Sequence, residues 1–461
     1  MAGGFAMTIR LIPDDQWFRS RKKNGVLAGS PLTYFGVTDA GSRILDAIET
    51  NSMLPENHAQ LTDRMLATGA VHPVPNSLAA LSEITVVIPA YITNSESHAD
   101  LKKLVASLSG LTIIIVDDAS PHAVNIENAR IIRHDTNKGP GAARNTGIAA
   151  VTSAVVAFVD TDVTVTSQQI ATLAAYVIDT PIGAVAPRIT CTNNQTFIGE
   201  FESHHSPLDL GPIPALVRPM SRVSYLPATV LVCNVHLLRN AGVFDDSIRM
   251  GEDVDLVWRL IENGISCRYV PSIECPHTPR SSMRKMLKQR YDYGTSAALL
   301  DQRHPRAASP LRANALLLTT ATTVLMGYVY FAMILVVPTM AYFSISLRST
   351  SIPFATRTQL AWKGLVSTTR LLARAIMRAW WPLFFLASVV SLRLGVMLTF
   401  SAFVPPIVGL LRKKPGYPIR YLVMRILENL AYGTGVWAGA IRARSLRCLL
   451  PVITVRRSVA R

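Results

Sequence analysis

The sequence predicts an α/β fold with a parallel sheet in its middle part. Between residues 82 and 300, short apolar runs alternate with segments of helical periodicity, which is the pattern of strands joined by crossover helices. Three of the runs end in polar or acidic residues, at 89–91, 117–118 and 160–162. Because ligands bind at the carboxyl ends of the strands in such sheets, we expect these three segments to face one crevice.

The elements of this part follow in a regular order. Residues 84–89 form an apolar run, and 98–108 place Leu101, Leu104 and Leu108 at helical spacing. The elements predicted after them are a strand at 112–116, a short strand at 129–133, a helix at 142–150 and a strand at 154–159.

The last of these strands ends in Asp160-Thr161-Asp162. Alternate residues of a strand point to the same side, so both carboxylates can face one ligand. Hard divalent cations prefer oxygen ligands, and substrate phosphates complete their coordination. Such a triplet also occurs by chance in surface turns. The other two polar segments at the same edge favour a metal and diphosphate site.

The charge of the 461-residue chain is unevenly distributed. Residues 1–301 contain 25 Lys and Arg and 29 Asp and Glu, whereas residues 302–461 contain 21 Lys and Arg and a single acid, Glu428. A basic region of this kind can bind nucleic acid or a membrane. Its cations flank long apolar stretches, so we expect a membrane partner and no nucleic acid.

Three stretches of the basic region are long and apolar. Residues 313–347 carry no charge, which exceeds the roughly 20 residues of a spanning helix, and 379–392 and 394–411 are separated only by Arg393. Flanking Lys and Arg predict the cytoplasmic side of the cell membrane and contact with anionic lipids, in a peripheral or integral arrangement. The alternative is a helical cap whose apolar face packs on the preceding domain.

The chain divides into three units, at residues 1–78, 82–300 and 301–461. The first is predicted to be small, with helical patterns at 32–45 and 61–71, and a linker is expected at 72–77. The five cysteines form no CxxC pair and are expected to be reduced, and no signal peptide is expected at the first residues.

Five segments of the middle unit resemble family 2 glycosyltransferases, which have the GT-A fold, a Rossmann-like core that binds nucleotide-diphospho-sugars. The segments are 87–91, 116–120, 137–145, 158–162 and 251–253. The resemblance implies a UDP-sugar donor. The donor-binding residues that it implies are Pro89, Tyr91, Asp117, Asp118, Lys138, Gly139, Arg144 and Asp160.

Several of these roles have a structural alternative. Asp117 or Asp118 is expected to accept from the uracil N–H, while the other caps a turn. Gly139 begins a turn whose N–H groups and helix dipole would face the nucleotide. Arg144 can pair with the diphosphate, or it can tie its helix to Asp160.

The same resemblance assigns the metal and the catalytic base. Asp162 is the direct ligand of Mn²⁺ or Mg²⁺, with His277 as a further ligand, and a mixed shell of this kind favours Mn²⁺. Asp253 is the candidate base of an inverting transfer and takes the proton of the acceptor hydroxyl, while Glu252 either supports Asp253 or contacts the acceptor. Both acids also suit the first turn of an ordinary surface helix.

A finer resemblance, to mycofactocin-type glycosyltransferases, is carried by 27–31, 206–211, 251–260 and 378–382. It implies transfer of glucose to a peptide-derived redox cofactor. Asp209 and Arg222 are the candidate acceptor contacts, and an ordinary ordered loop is the alternative. The first unit is similar to winged-helix modules that bind peptide precursors.

Three other functions are considered. A transferase of the same chemistry could act on polyprenyl phosphate or a cell-envelope polysaccharide, although residues 288–294 lack the QxxRW motif of processive synthases. A non-catalytic membrane scaffold would have no need for Asp160, Asp162 and Asp253 together. A nucleotidyltransferase would share an acidic metal site but would not need Glu252 and Asp253.

Overall fold

The computed structural model describes residues 9–20, 24–178, 180–192, 196–279, 282–350 and 352–455. Residues 1–8, where no signal peptide is expected, lie outside the described part. The described chain forms a small N-terminal unit, a central α/β domain and a helical C-terminal region.

The N-terminal unit combines two small antiparallel sheets with two helices around its own core, which includes Leu45 and Met65. A meander of three strands forms one sheet, and the first and last strands of the unit pair to form the other. The elements are β1 (Ile9–Pro13), β2 (Phe18–Ser20), β3 (Gly25–Ala28), β4 (Thr33–Gly36), α1 (Asp39–Thr50), α2 (Ala59–Thr68) and β5 (Val71–Pro75).

Two expectations for this unit were wrong. The helix predicted at 32–45 begins only at Asp39, because β4 alternates buried and more exposed residues as a half-buried strand does. The linker predicted at 72–77 is largely β5, which pairs with β1. A two-stranded sheet has only edge strands, so the prolines of β5 are tolerated there.

The central domain is built on a mixed eight-stranded sheet. The strands run in the order β11-β13-β10-β12-β9-β6-β7-β8. The elements are β6 (Ile84–Ala90), α3 (Ser95–Ser107), β7 (Thr112–Asp117), β8 (Arg130–Arg133), α4 (Pro140–Ala149), β9 (Val155–Val159), α5 (Ser167–Ala174), β10 (Ile182–Cys191), α6 (Phe197–His205), β11 (Ala215–Leu216), β12 (Val230–Asn234), α7 (Val235–Asn240), α8 (Glu252–Glu262) and β13 (Ser266–His277).

The predicted α/β fold is confirmed for this domain. β8, β7, β6 and β9 are parallel neighbours, so the segments after β6, β7 and β9 meet at one edge. Side chains of β6 enter two cores, with Ile88 on one face of the sheet and Val87 on the other. Burial on both faces explains why these strands are continuous apolar runs. The antiparallel insertion of β12 between β9 and β10 was not predicted.

The C-terminal region is mainly helical and is closed by a short parallel strand pair. A π-helical turn, Ile376–Trp380, separates two of its helices. The elements are α9 (Met283–Thr295), α10 (Ala297–Arg303), β14 (Arg312–Asn314), α11 (Ala315–Leu325), α12 (Val329–Ser346), α13 (Phe354–Ala375), α14 (Trp381–Ser388), α15 (Leu392–Lys413), α16 (Pro418–Arg442) and β15 (Val452–Thr454).

The uncharged stretch 313–347 is two helices and not one long span. It breaks after α11, where Gly327 adopts a φ of +72° that ordinary residues rarely take. Within the described residues, α12 and α15 are long and apolar enough to cross a membrane, and only 17% of the apolar window of each is buried. A core helix would be mostly buried, so these two helices present apolar surface outward.

Helix α16 packs closely on α9, the first helix of the C-terminal region. A β-carbon at Gly435 would lie 2.1 Å from the carbonyl oxygen of Tyr291, and one at Gly439 would lie 2.3 Å from that of Thr295. The glycines therefore allow the backbones of α16 and α9 to approach closely.

Candidate active site

The Asp160–Asp162 segment is tied to the end of β13. The backbone N–H of Thr278 donates to the Asp162 carbonyl at 3.1 Å, and that of Thr164 donates to the Pro276 carbonyl at 2.8 Å. These bonds bring the side chain of His277 beside Asp162, with Nε2 3.2 Å from Oδ2. The two side chains predicted as metal ligands are therefore adjacent, although 115 residues separate them in the chain.

The chemistry of this pair fits a divalent cation. Asp162 offers a carboxylate oxygen and His277 an imidazole nitrogen, and the Asp162 side chain keeps 38% of its surface exposed. In the described ranges, no group of three or more His, Cys, Asp or Glu is arranged to hold a metal ion.

Arg144 lies at the centre of the acidic site. Its Nη2 donates to Asp160 Oδ1 at 2.8 Å, its Nη1 donates to Glu252 Oε1 at 2.9 Å, and its side chain is only 4% exposed. Burial lowers the pKa of Arg144, but the two carboxylates outweigh it and raise the pKa. The guanidinium joins α4, the end of β9 and the start of α8, and its contact with a diphosphate stays a prediction.

Asp160 occupies a more protected position than Asp162. Its pKa is raised, first by burial and then by the charge of Asp162, despite the opposing effect of Arg144. With one oxygen held by Arg144, Asp160 is oriented toward the guanidinium. This geometry fits a role beside the donor and leaves direct coordination of a cation to Asp162.

Asp253 and Glu252 begin helix α8 beside this site. Asp253 Oδ2 accepts from the backbone N–H of Ala228 at 3.2 Å, which fixes the carboxyl group against the segment before β12. Burial raises the pKa of Asp253 against the charge of Arg144. Burial and then the charge of Asp253 raise the pKa of Glu252 to about 7. Two adjacent acids in one protected site thus resist ionising together.

The carboxylates of Asp117 and Asp118 accept hydrogen bonds from other parts of the protein. Asp117 is fully buried and accepts from the backbone N–H groups of Ser120 and Val124 and from Arg133. Burial would raise its pKa, but these hydrogen bonds lower it below the ordinary value. Asp117 thus holds the turn after β7, and its contact with uracil stays a prediction.

Asp118 holds the loop before α4 in the same way. It accepts from the backbone N–H groups of Lys138 and Gly139 at 2.9 and 2.8 Å and contacts His134 Nδ1 at 2.8 Å. The N–H of Gly139, expected to face the nucleotide, is thus bonded to Asp118. The φ of +92° at Gly139 is what requires glycine there, since a β-carbon would meet no atom within 4 Å.

The remaining donor candidates lie at the surface of the crevice. Pro89 is the penultimate residue of β6 and is half-buried, while Tyr91, the first residue after the strand, is 52% exposed. The Lys138 side chain is also exposed. All three remain available to a ligand.

The two candidate acceptor contacts are engaged elsewhere. Arg188 pairs with Asp209 through two bonds of 2.8 and 2.9 Å, and the N–H of Gly211 donates to Asp209 as well. Arg222 donates to the Pro214 carbonyl at 2.7 Å and lies 4.0 Å from Asp14 of the N-terminal unit. Asp209 thus holds an ordered loop and Arg222 lies at the N-terminal unit, and contact of either residue with an acceptor stays a prediction.

Sequence reasoning missed Tyr225 beside the acid pair. Its hydroxyl donates to the Pro207 carbonyl at 2.8 Å, and its pKa is raised by burial and next by the charge of Asp253. Tyr225 lies in a loop without strand or helix periodicity, so no local pattern marks it.

Comparison with known proteins adds independent findings. The family model described as glycosyl transferase family 2 matches residues 85–225. The chain is 35% identical over 449 residues to the pre-mycofactocin glycosyltransferase of Mycobacterium tuberculosis, covering 93% of this chain and 94% of the relative. It is 25% identical over 222 residues to the succinoglycan biosynthesis protein ExoO of Rhizobium meliloti, covering 43% of this chain and 61% of that protein.

A solved structure is also similar. The mannosyltransferase PcManGT from Pyrobaculum calidifontis, in complex with GDP-Man and Mn²⁺, is 13% identical with a TM-score of 0.41, covering 80% of this chain and 93% of that chain. A likeness of this size carries no argument about donor, metal or acceptor.

Proposed function

This chain belongs to glycosyltransferase family 2 and, within it, to the family of the pre-mycofactocin glycosyltransferase, and we propose that it moves glucose from UDP-glucose onto a mycofactocin-type, peptide-derived acceptor. The relative's acceptor supports this proposal because the two chains align over nearly their whole lengths. The proposed reaction is an inverting, metal-dependent transfer.

The observation that carries the proposal is the acid pair at the start of α8. Asp253 is fixed by the N–H of Ala228, and Glu252 is held by Arg144, which also reaches Asp160. The guanidinium of Arg144 thus links Glu252, the neighbour of the proposed base, to the Asp160–Asp162 segment. The arrangement suits a reaction in which a proton is removed close to a departing diphosphate.

In the proposed step, the acceptor hydroxyl oxygen attacks the anomeric carbon from the face opposite the diphosphate. The bond between that carbon and the diphosphate oxygen breaks, and its electron pair leaves with UDP. Asp253 takes the hydroxyl proton, for which its raised pKa makes it a stronger base than an exposed carboxylate. Glu252 and Arg144 act on Asp253 through their charges, and the positive charge of Arg144 opposes the rise of the Asp253 pKa.

Asp162 and His277 would hold the divalent cation, Mn²⁺ or Mg²⁺. When bound, the cation would neutralise charge that develops on the diphosphate. The oxygen and nitrogen donors of this pair favour Mn²⁺. Pro89, Tyr91 and Lys138 are the exposed candidates for contact with the nucleotide, and Asp160 is the candidate for its ribose.

We also propose that the chain associates with a membrane through α12 and α15. Large apolar side chains on them are exposed, including Tyr330 at 83% and Val337 at 70%. Basic residues in the last turn of α15, such as Arg412, would meet anionic lipids on the cytoplasmic side. This exposed surface favours a second candidate function, transfer to polyprenyl phosphate, whose lipid tail would lie in the same membrane.

The proposal is tested by UDP release from UDP-glucose with Mn²⁺, measured without acceptor, with a mycofactocin-type acceptor and with polyprenyl phosphate. Stimulation by the peptide-derived acceptor alone is the expected result. Stimulation by polyprenyl phosphate alone would replace the leading function with the second candidate. UDP-mannose and UDP-galactose serve as controls for the donor, and equal rates with them would contradict the glucose assignment.

A further inference from the structure

The short helix α10 of the C-terminal region packs directly against the beginning of α8. A β-carbon at Gly251, the residue before α8, would lie 3.2 Å from Ser296 Oγ and 3.3 Å from Leu300 Cδ1. Ser296 precedes α10 and Leu300 lies within it. The φ of +84° at Gly251 favours glycine as well. The end of α8 that carries Asp253 is therefore in contact with α10.

His304, the residue after α10, contacts two carboxylates of α8. Its backbone N–H donates to the Leu300 carbonyl at 2.8 Å, which fixes His304 to α10. Its ring Nε2 lies 3.1 Å from Asp255 Oδ1, and its Nδ1 lies 2.8 Å from Glu262 Oε1. These two acids are about two helical turns apart on one face of α8. A single imidazole ring thus connects α10 to both ends of α8.

Both ring nitrogens of His304 must carry a proton in this arrangement. An ionised carboxylate only accepts hydrogen bonds, whereas a neutral imidazole has one donor and one acceptor nitrogen. Burial raises the pKa of Asp255, but its hydrogen bonds with His304 and Arg259 outweigh burial and lower the pKa to about 2. Burial lowers the pKa of His304, but its hydrogen bonds with Asp255 and Glu262 outweigh burial and raise the pKa above 6.5. His304 is thus an imidazolium that pairs with both acids.

The other charged groups near His304 are also held in place. Asp255 is fully buried, and it accepts from Arg259 Nε at 2.8 Å and from Arg303 Nη1 at 3.3 Å. Arg303, the last residue of α10, also lies 2.6 Å from Asp245 in the loop before α8. The contact between α10 and α8 is therefore a network of ion pairs around one buried carboxylate, and His304 is its least exposed cation.

Helix α10 also packs on α16. Gln302 Nε2 donates at 2.9 Å to the carbonyl of Ala443, the residue directly after α16. Small and apolar residues of the two helices share one core, namely Ala297, Ala298, Val436 and Ala440. Helix α10 thus contacts both the long C-terminal helix and the helix that begins with the proposed base.

We propose that His304 is a positioning residue of the transfer reaction: by binding Asp255 and Glu262 at once, it fixes α8 and so the place of Asp253 in the site. A general base must lie within hydrogen-bond reach of the proton that it removes, so a small shift of α8 would lower the rate. His304 acts through the helix and not on the substrate. The inference rests on the proposed function for the role of Asp253.

The primary test is amide hydrogen exchange of α8 in the full chain, followed by mass spectrometry, for wild type and His304→Gln. A glutamine side chain carries no charge and has a single nitrogen that donates. Because hydrogen bonds between charged groups are the stronger ones, their loss should make exchange in α8 at least about tenfold faster. The matched control is His236→Gln, the same change at an exposed position of α7, which should exchange as wild type does. Equal exchange of α8 in wild type and His304→Gln would overturn the proposal.

Steady-state kinetics separate positioning from a general loss of structure. With UDP-glucose, Mn²⁺ and a mycofactocin-type acceptor, His304→Gln should lower kcat by about 10–100-fold. The affinity for UDP and the KM of the acceptor should stay close to those of wild type, because His304 contacts neither substrate. An unchanged kcat, or a loss that lies in KM alone, would overturn the proposal.

A second variant decides the question if His304→Gln does not fold. Glu262→Ala removes one of the two carboxylates, at a side chain that is 53% exposed, so the fold should tolerate the change. Exchange in α8 should then be faster than in wild type, and unchanged exchange would overturn the proposal. The exchange measurement needs no turnover. If α8 exchanges faster in His304→Gln but wild type transfers no sugar, the proposed function fails and the role of His304 in fixing α8 stands.

Discussion

Arg144 Nη1 lies 2.9 Å from Glu252 Oε1, although 108 residues separate the two in the chain. This contact connects the middle of α4 with the start of α8, where Glu252 directly precedes Asp253. It also means that the charge of Glu252 is set by burial, a neighbouring acid and a single cation. The ionisation of this acid pair therefore controls both the stability of the site and the chemistry that we propose.

The first prediction concerns stability against pH in Glu252→Gln. The pKa of Glu252 is raised from 4.5 to about 7, first by burial and then by Asp253. A raised pKa in the folded state stabilises folding fully below pH 4.5, and this contribution is lost as the pH rises through about 7. A glutamine at position 252 does not ionise, so the variant lacks this pH-dependent loss of stability. Between pH 5 and 8, the free energy of unfolding of wild type should therefore fall by on the order of 2–3 kcal/mol more than that of Glu252→Gln.

Urea denaturation at pH 5 and pH 8 measures this difference. Glu127→Gln, the same change at an exposed position, is the control and should follow wild type. Parallel pH profiles for wild type and Glu252→Gln would contradict the assignment of the raised pKa.

The second prediction concerns the metal pair. Asp162→Asn and His277→Asn each remove one proposed ligand and should raise the Mn²⁺ concentration for half-maximal activity by at least about tenfold. Mn²⁺ binding in the presence of UDP, followed by the electron paramagnetic resonance of free Mn²⁺, gives a readout independent of turnover. The exposed Asp100→Asn is the control. Unchanged Mn²⁺ affinity in both variants would remove the two residues from the metal site.

The third prediction concerns the loop before α4. In Asp118→Asn, an amide N–H₂ group would replace one of the two oxygens that accept from the N–H groups of Lys138 and Gly139. A buried donor left facing another donor costs about 1–3 kcal/mol, so the free energy of unfolding should fall by this amount. Asp135→Asn, at an exposed position of the same loop, should change it by less than about 0.5 kcal/mol. Equal stabilities in urea denaturation would show that the loop does not depend on Asp118.

The fourth prediction concerns the apolar helices. Val337→Glu places a charge on the exposed face of α12, where Val337 is 70% exposed. A charge inserted among lipid chains costs roughly 2.5–3.5 kcal/mol, so the variant should float with anionic vesicles markedly less than wild type. Met53→Glu, at a 94% exposed position of the N-terminal unit, should float normally. A wild-type protein that remains unbound would contradict membrane association through this face.

Much of the central domain could be predicted because its signals are local. Strands β6, β7 and β9 are continuous apolar runs since both faces are buried, and Asp162 and Asp253 follow recognisable segments. The resemblance to family 2 glycosyltransferases then assigned these segments to one site. The contact of Asp162 with His277 agrees with that expectation in geometry, while the roles of both residues remain proposals.

The contacts of several candidate residues could not be predicted, because distant residues decide them. Asp209 looked available to an acceptor, but Arg188 on β10 occupies both of its oxygens. Asp118 looked like a ligand contact, but its partners are backbone groups about twenty residues away. Tyr225 lies in a loop and carries no local pattern. Pairings of this kind depend on how loops and helices pack, which periodicity does not report.

The central claim is that Asp253 removes the acceptor proton. The most direct measurement is the acceptor-stimulated rate of UDP release by Asp253→Asn, with UDP affinity measured in parallel. This near-isosteric change keeps an oxygen to accept from Ala228 but removes the base. The account predicts a fall in kcat of about 10²–10⁴-fold with UDP affinity unchanged, while Asp100→Asn retains wild-type kcat. A kcat for Asp253→Asn close to that of wild type would contradict it.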